Sequence, residues 1–350
     1  FLFVCLFSLF LCTMKTVGYA AQSQDADLTP YEFERRALRD DDVAMEILYS
    51  GVCHSDVHTV RGDWGVPEYP QVVGHEIIGR VIEVGSKVTK FAVGDIGAVG
   101  CMVDSPCTTC DDCTKIGEPY CAKGMVGTYN GKDLHDGSVT KGGYSKHIVV
   151  RDHFVLTVPK SLDISRAAPL LCAGITMYSP LHHWKAGPGK KVAIVGLGGL
   201  GHMGVKLAKG MGADVTVISR SAGKEEDAAR LGADRVLIST NEDALKEAER
   251  SFDLIIDTVP VHHDIMPYVP LLSPQGTICL VGQLGPLPDV NSLPLVFGRR
   301  SISGSIIGGI RETQEMLDFC AEKDILPDVE TIKMSEINEA WARMLKSDVR

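Results

Sequence analysis

The chain has 350 residues, 45% hydrophobic and 23% charged; at about 150 residues per domain this implies two domains and excludes disordered, collagenous and coiled-coil polypeptides. Thirty-five Lys and Arg stand against 45 Asp and Glu, a formal net charge of −10, which argues against a nucleic-acid groove because such a groove needs clustered cations. Eleven cysteines, an odd total in a long chain, make a poor disulfide framework and bring metal ligation forward instead.

Residues 1–12 are apolar at every position except Ser8. The stretch is too short for a membrane-spanning helix, which needs about 20 residues, and no basic segment precedes it. Residues 1–13 are therefore read as upstream translation rather than an export signal, and the protein as cytoplasmic. Met14 opens a strand. From there to Val150 short apolar runs broken by Gly, Pro and Asp (VAMEILYSGV, IIGRVIEVG, GGYSKHIVV) predict β-rich, turn-dense structure. From Ile164 the rhythm changes: KVAIVG, DVTVIS, DRVLIS, FDLIIDTV and TICLVG are continuous apolar runs, as buried parallel strands require. Helical stretches, HMGVKLAKGMG, KEEDAARLG and EDALKEAER, separate them, and the alternation predicts a doubly wound α/β sheet. After Ser303 amphipathic helices return (ETQEMLDFCAEK, SEINEAWARML), and the sequence ends at DVR with no strand after them.

Three groups of residues carry chemistry. The strand ending at Val195 runs into Gly196, Leu197, Gly198, Gly199, Leu200 and Gly201 and then a helix. In that context the glycines let a backbone approach a dinucleotide pyrophosphate at a helix N-terminus. The next strand ends in Ser219, Arg220 and Ser221, with Lys224 close behind, where NAD enzymes usually place Asp or Glu for the ribose 2′-hydroxyl. Hydroxyl donors and two cations suit a 2′-phosphate, so the expected cofactor is NADP(H). Cys107, Cys110, Cys113 and Cys121 form C-x2-C-x2-C-x7-C, a set for a closed, structural zinc site; an iron–sulfur cluster has somewhat similar spacing, and disulfides would need an oxidising compartment. The third group is dispersed. Cys53, His75 and Cys172 offer the Cys2His set of a zinc with an open fourth position, accompanied by His54, Ser55, Asp56, His58, Glu76 and Thr176.

Taken together, GVCHSDVH (51–58), GHE (74–76), the four-cysteine lobe, LLCAGIT (170–176), GLGGLGHMG and DTVPVHH resemble the zinc-dependent medium-chain alcohol dehydrogenases, and within them the cinnamyl alcohol dehydrogenase branch, over Met14–Arg350. The resemblance implies a GroES-like β-rich catalytic domain (14–163, with a structural-zinc lobe at 101–121), an inserted Rossmann NADP-binding domain (164–302), a return to the catalytic domain (303–350, lacking its final strand), and a homodimer. It implies Cys53, His75 and Cys172 as catalytic-zinc ligands, Glu76 as a carboxylate beside the zinc, and Asp56 as the group that orients the ligating histidine. Ser55 and His58 become the proton relay, His54 lies near the pyrophosphate and Thr176 behind the nicotinamide. The implied activity is reversible hydride transfer between NADPH and a zinc-bound aldehyde.

The chain departs from the plant branch at two places. Where plant enzymes carry an aromatic after the lobe, it has Met125-Val126-Gly127-Thr128-Tyr129-Asn130, and Ile306 stands where they carry Phe. Trp64, in GDWG, is either a replacement aromatic for a substrate pocket or a loop-packing residue. This favours a broad aldehyde reductase for aromatic and aliphatic aldehydes over a true cinnamyl alcohol dehydrogenase, and leaves a non-catalytic dinucleotide sensor as the reading from another class. A small-molecule partner is expected, with neither nucleic acid nor membrane. The eleven cysteines divide into four for the lobe and two for the catalytic zinc; Cys5 and Cys12 lie in the leader, and Cys101, Cys279 and Cys320 are spare thiols.

Overall fold

The computed structural model describes residues 13–282, 285–287, 289–346 and 348; the readings made for the leader, Cys5 and Cys12 included, lie outside the described residues. Contacts divide the chain into two units. Of the described residues, the first comprises those of 13–106, Met125–Val158 and Ile332–Leu345, the second those of Cys107–Gly124 and Pro159–Thr331.

The first unit is built on a five-stranded antiparallel sheet in the order His147–Arg151, Asp42–Ser50, Ile77–Val84, Ile96–Val99, Leu156–Thr157. Its apolar runs meet in one core, where Val43, Ala44, Met45, Ile77, Ile78, Val81, Ala98 and Val150 are fully buried. A separate hairpin pairs Met14–Ala20 with Thr29–Arg35. Arg35, at its end, reaches into the segment 141–147. The side chain donates to the carbonyls of His147 and Gly142 and to Ser145 Oγ, each at 2.8 Å, and also to the Lys141 carbonyl. A buried guanidinium with this many acceptors fixes the backbone around it, and the segment it fixes carries Tyr144.

The second unit holds six strands, all parallel, in the order Arg235–Ile238, Asp214–Ser219, Lys191–Val195, Phe252–Asp257, Leu272–Leu280, Ser301–Gly304. The predicted doubly wound sheet is present, and its strand order is that of the Rossmann fold. Strand order reverses between Lys191–Val195 and Phe252–Asp257, and ligands of open α/β sheets bind outside the strand ends at such a switch point. The helices Gly199–Gly210, Glu225–Leu231 and Glu242–Glu247 connect the first strands. Ala193, Val195, Ile218, Phe252, Ile255, Leu272 and Ile278 close its core.

Among the helices that the sequence reading did not predict, two carry candidate site residues. His54–Arg61 interrupts the β-rich region. Asp56, at its third position, accepts from the Cys53 backbone N–H, and Gly62 closes the far end at φ 74°, so local capping outweighs the turn-dense composition. Ala173–His183 follows Cys172 and is buried along most of its length.

Candidate active site

The helix His54–Arg61 places Cys53 at its N-cap and Asp56 on its buried face. Asp56 is fully buried, and its carboxylate is saturated with donors. Oδ1 accepts from His75 Nδ1 at 3.0 Å and Gly74 N at 3.1 Å; Oδ2 accepts from Tyr144 O–H at 2.8 Å and Cys53 N at 3.2 Å. The carboxylate, accepting from Nδ1, holds the proton of His75 there, which leaves Nε2 with a lone pair. Tyr129 O–H lies 3.1 Å from the same Nδ1, and its ring meets the imidazole edge-on. Neither Tyr129 nor Tyr144 was singled out from sequence, since each is an ordinary aromatic until the chain brings it to His75 or Asp56.

The ligand atoms of Cys53, His75 and Glu76 lie within 4.8 Å of one another. Glu76 is buried and its Oε2 has no hydrogen-bond partner. Burial, and then a negative Cys53 beside it, hold its carboxyl well above the usual range. A buried oxygen with nothing to bind, beside a thiol and an imidazole nitrogen, is the donor set of a divalent zinc. Gly51 belongs to the same arrangement: its N–H donates to the Glu76 carbonyl at 2.8 Å, and a Cβ there would sit 1.7 Å from Glu76 Oε2. Cys172 is buried and precedes Ala173–His183 as its N-cap, and Thr176 N donates to the Cys172 carbonyl at 2.9 Å.

Farther along the first helix, His58 Nδ1 lies 2.7 Å from Asp63 Oδ2, and its ring is 5.1 Å from that of Trp64. Asp63, just past the helix end, is a partner the sequence reading missed. Trp64 is half exposed, as is Ile306, whose N–H donates to Tyr120 Oη at 3.4 Å. His54 is exposed, and its ring centroid lies 6.3 Å from that of His58, the two planes tilted by 35°.

In the second unit the four lobe cysteines bring their sulfurs within 4.8 Å of one another. Cys110 Sγ lies 3.4 Å from Cys113 Sγ and 3.8 Å from Cys121 Sγ. Backbone N–H groups of Thr109 and Cys110 pull the Cys107 thiol down to about 6, whereas burial and the neighbouring thiols push Cys113 up. Four sulfurs forced this close repel as thiolates unless a cation sits among them. The nine described cysteines form no disulfide. Burial pushes Cys279 and Cys320 up to about 12, so both are inert thiols.

The glycine loop leaves Val195 with Gly196 at φ +89°. A Cβ on Gly201 would lie 2.1 Å from the Gly196 carbonyl oxygen, so Gly201 serves close packing of helix on strand. Gly198 and Gly199 meet no protein atom within 4 Å of a built Cβ, and the helix that begins at Gly199 has no side-chain cap. Open space over uncapped N–H groups is what a pyrophosphate requires. Leu200 is half-buried in the helix's first turn. At the end of the next strand, Ser221 N donates to Ser219 Oγ at 3.3 Å and Gly223 N to Ser221 Oγ at 3.2 Å, a tight polar turn. Arg220 is exposed and has no carboxylate partner among the described residues, while Lys224 reaches Asp227 only at 3.9 Å.

Among the described residues no helix is long and apolar enough to cross a membrane. Two family models match the chain: an alcohol dehydrogenase GroES-like domain over residues 39–160 and a zinc-binding dehydrogenase domain over 199–322. The NADP-dependent alcohol dehydrogenase C 1 of Mycolicibacterium smegmatis is 54% identical over 339 residues, 96% of this chain and 97% of that one. A cinnamyl alcohol dehydrogenase from Sorghum bicolor superposes with a TM-score of 0.92 at 44% identity, covering 96% of each chain. The cinnamyl alcohol dehydrogenase of Helicobacter pylori, solved with NADP(H), gives 0.90 at 39% identity over 97% of each.

Proposed function

The chain belongs to the zinc-binding alcohol dehydrogenases, and from that premise we propose that it is an NADP(H)-dependent aldehyde reductase and alcohol dehydrogenase acting broadly on aromatic and aliphatic aldehydes. The observation that carries the reading is the buried, unpartnered Glu76 oxygen beside Cys53 and an Asp56-oriented His75. Cys53, His75 and Cys172 would hold the catalytic zinc, and Cys107, Cys110, Cys113 and Cys121 the structural one. Bound zinc supplies Lewis-acid polarisation of the carbonyl oxygen, and bound NADPH supplies the hydride.

The remaining work falls to the chain's own side chains. Asp56 keeps the His75 proton on Nδ1, so Nε2 stays a donor whatever the substrate does. Ser55 gives the proton to the nascent alcohol and takes it back in the reverse direction. Asp63 holds a proton on His58 Nδ1, which leaves His58 Nε2 as the atom that exchanges protons between Ser55 and solvent. Gly198, Gly199, Leu200 and the helix N-terminus seat the pyrophosphate, with His54 near it and Thr176 behind the nicotinamide. Ser219, Arg220, Ser221 and Lys224 receive the 2′-phosphate. Trp64 is the candidate aromatic of the substrate site, and Ile306 stands where plant enzymes carry Phe.

A homodimer in the cytoplasm completes the proposal. Among the described residues Ser301–Gly304 is the last strand of its sheet, and Leu293, Val296 and Phe297 on the helix that precedes it are largely exposed, at 60%, 75% and 83%. An open edge next to an apolar patch is a surface that a second copy covers.

The test follows loss of NADPH absorbance with butanal, benzaldehyde and cinnamaldehyde, with and without a zinc chelator. Turnover of all three with comparable kcat/KM, abolished by the chelator, is the expected result. Strong preference for cinnamaldehyde would replace the broad reading with a true cinnamyl alcohol dehydrogenase, and no turnover would replace both with the sensor. Ser219→Asp is expected to shift preference from NADPH to NADH by about tenfold or more; unchanged cofactor kinetics would count against the assignment of the 2′-phosphate turn.

A further inference from the structure

A buried pair outside the zinc chemistry sits at the switch point of the parallel sheet. Val195 and Asp257 end adjacent strands in register, and the chain leaves them as the glycine loop on one side and the segment 258–264 on the other. Thr258 ties the two together: its N–H and its Oγ1–H both donate to the Val195 carbonyl, at 3.1 and 2.7 Å. Its neighbours leave it little freedom. A Cβ on Gly196 would lie 3.0 Å from Thr258 Oγ1, and one on Gly282 would lie 2.4 Å from the Thr258 carbonyl carbon.

The same segment is closed a second time. Asp257 is 1% exposed; its Oδ1 accepts from Val259 N at 3.0 Å, and its Oδ2 lies 2.7 Å from His263 Nε2. His263 Nδ1 in turn lies 2.9 Å from the Val261 carbonyl. A carbonyl only accepts, so Nδ1 carries a proton. The Nε2–Oδ2 bond therefore needs one further proton, lodged on the imidazole or on the carboxyl. The pair holds two protons for two bonds and stitches residues 257, 259, 261 and 263 into one rigid turn. Burial raises the Asp257 carboxyl, opposed by the Val259 N–H and then by His263.

We propose that the Asp257–His263 pair is a clasp that positions the segment 258–261 as the second wall of the NADP(H) groove, preorganising cofactor binding without touching the reacting atoms. The proposal rests on the reading of Gly196–Gly201 as the pyrophosphate loop. Binding that must first order a loop loses affinity by the cost of the ordering, and a pre-closed turn removes that cost. His263 is thus a positioning residue for the cofactor. Its loss should be felt in NADPH affinity and not in the hydride-transfer step.

The experiment titrates NADPH fluorescence on the zinc-loaded enzyme for wild type, His263→Phe, His263→Ala, His263→Gln and Gly201→Ala. His263→Phe and His263→Ala should bind NADPH about tenfold more weakly, with zinc content and kcat at saturating NADPH within about twofold of wild type. His263→Gln keeps an amide that donates to Asp257 and should recover most of the affinity, which a merely structural bulk effect would not. Gly201→Ala, whose methyl collides with the Gly196 carbonyl, should abolish binding. Unchanged affinity in His263→Phe and His263→Ala, with binding lost in Gly201→Ala, overturns the clasp and leaves the pyrophosphate loop standing. Failure of Gln to rescue also overturns it, because the hydrogen bond is then not the device. Normal NADPH binding by Gly201→Ala overturns the loop reading, and the clasp falls with it.

Discussion

The two metal-donor clusters of this protein are built in opposite ways. The lobe gathers four sulfurs from fifteen consecutive residues, and its geometry is local: a short helix, Asp111–Lys115, and two turns bring Cys110, Cys113 and Cys121 together. Its surroundings bind it to the protein rather than to a substrate. Glu118 Oε2 accepts from Ile310 N at 2.9 Å at the start of the helix Ile310–Lys323, and a Cβ on Gly117 would lie 2.8 Å from Gly309 Cα. Cys53, His75 and Glu76, by contrast, come from a helix N-cap and the entry to a strand, and a carboxylate with four donors stands behind them. One cluster has all four donors alike and no spare oxygen; the other keeps a buried oxygen unsatisfied. On the proposed reading, the first holds a metal and a fold, and the second leaves a metal room to act.

The largest effect should separate them. Loss of groups that merely orient a ligand costs about 10–100-fold in metal affinity or activity, so His75→Ala, which removes the ligand itself, should exceed that range in kcat/KM. The variant should keep one zinc per chain by metal analysis and melt close to wild type. Gly51→Ala should also lower kcat/KM, but by less and with both zincs kept, because the added methyl displaces the Glu76 carboxylate and not a ligand. Two zincs per chain in His75→Ala would show that these residues hold none.

Cys113→Ser is the counterpart. Structural zinc sites contribute folding free energy directly, so the apparent melting temperature should fall by about 5 °C or more. The catalytic zinc and the kcat of the surviving folded protein should change by less than about threefold. A drop in kcat without a drop in melting temperature would reverse the roles assigned to the two clusters.

The contrast also explains what was legible in the sequence. C-x2-C-x2-C-x7-C is readable because its geometry is written in its spacing, and the strand Asp214–Ser219 because a buried parallel strand has to be continuously apolar. Cys53 and His75 were read through the company they keep in a known family, since nothing in a 22-residue separation places a thiol beside an imidazole. Tyr144 and Asp63 were given no role, and His263 entered only as the last residue of DTVPVHH. Tyr144 reaches Asp56 across 88 residues, positioned by the Arg35 contacts to 141–147. His263 acquires meaning only when Asp257 stands beside the glycine loop. The helix His54–Arg61 was hidden because a cysteine N-cap lies outside the usual capping residues.

An intermediate effect tests how far the support behind His75 extends. Tyr144→Phe removes one of the four donors to Asp56 while keeping the buried ring. Zinc affinity measured by chelator competition should fall about tenfold, and the Cys113→Ser background should show the same fall, since the lobe has no part in it. Affinity unchanged within about twofold would confine the orienting network to Asp56 itself.

The smallest effect asks whether an unsatisfied buried group marks a site or only a cost. Glu76 Oε2 and both amide atoms of Gln71 are buried without partners in the same unit. Glu76 sits among metal donors, whereas Gln71 lies between the backbone partner Ala21 and Val72, next to an apolar cluster formed by Ala20, Ala21, Leu28, Val60, Val72 and Val73. An unmade hydrogen bond costs about 1–3 kcal/mol where no metal or ligand uses it. Gln71→Leu should therefore stabilise the protein by about 1 kcal/mol in denaturant melts and leave kcat/KM and zinc content as they are. Glu76→Gln should do the reverse, with stability held and kcat/KM lowered, because its oxygen is kept unpaired for the metal's neighbourhood. If both substitutions act alike, an orphaned polar atom in this unit does not discriminate a working site from a packing fault, and the case for the Cys53–His75–Glu76 cluster would rest on its thiol and imidazole alone.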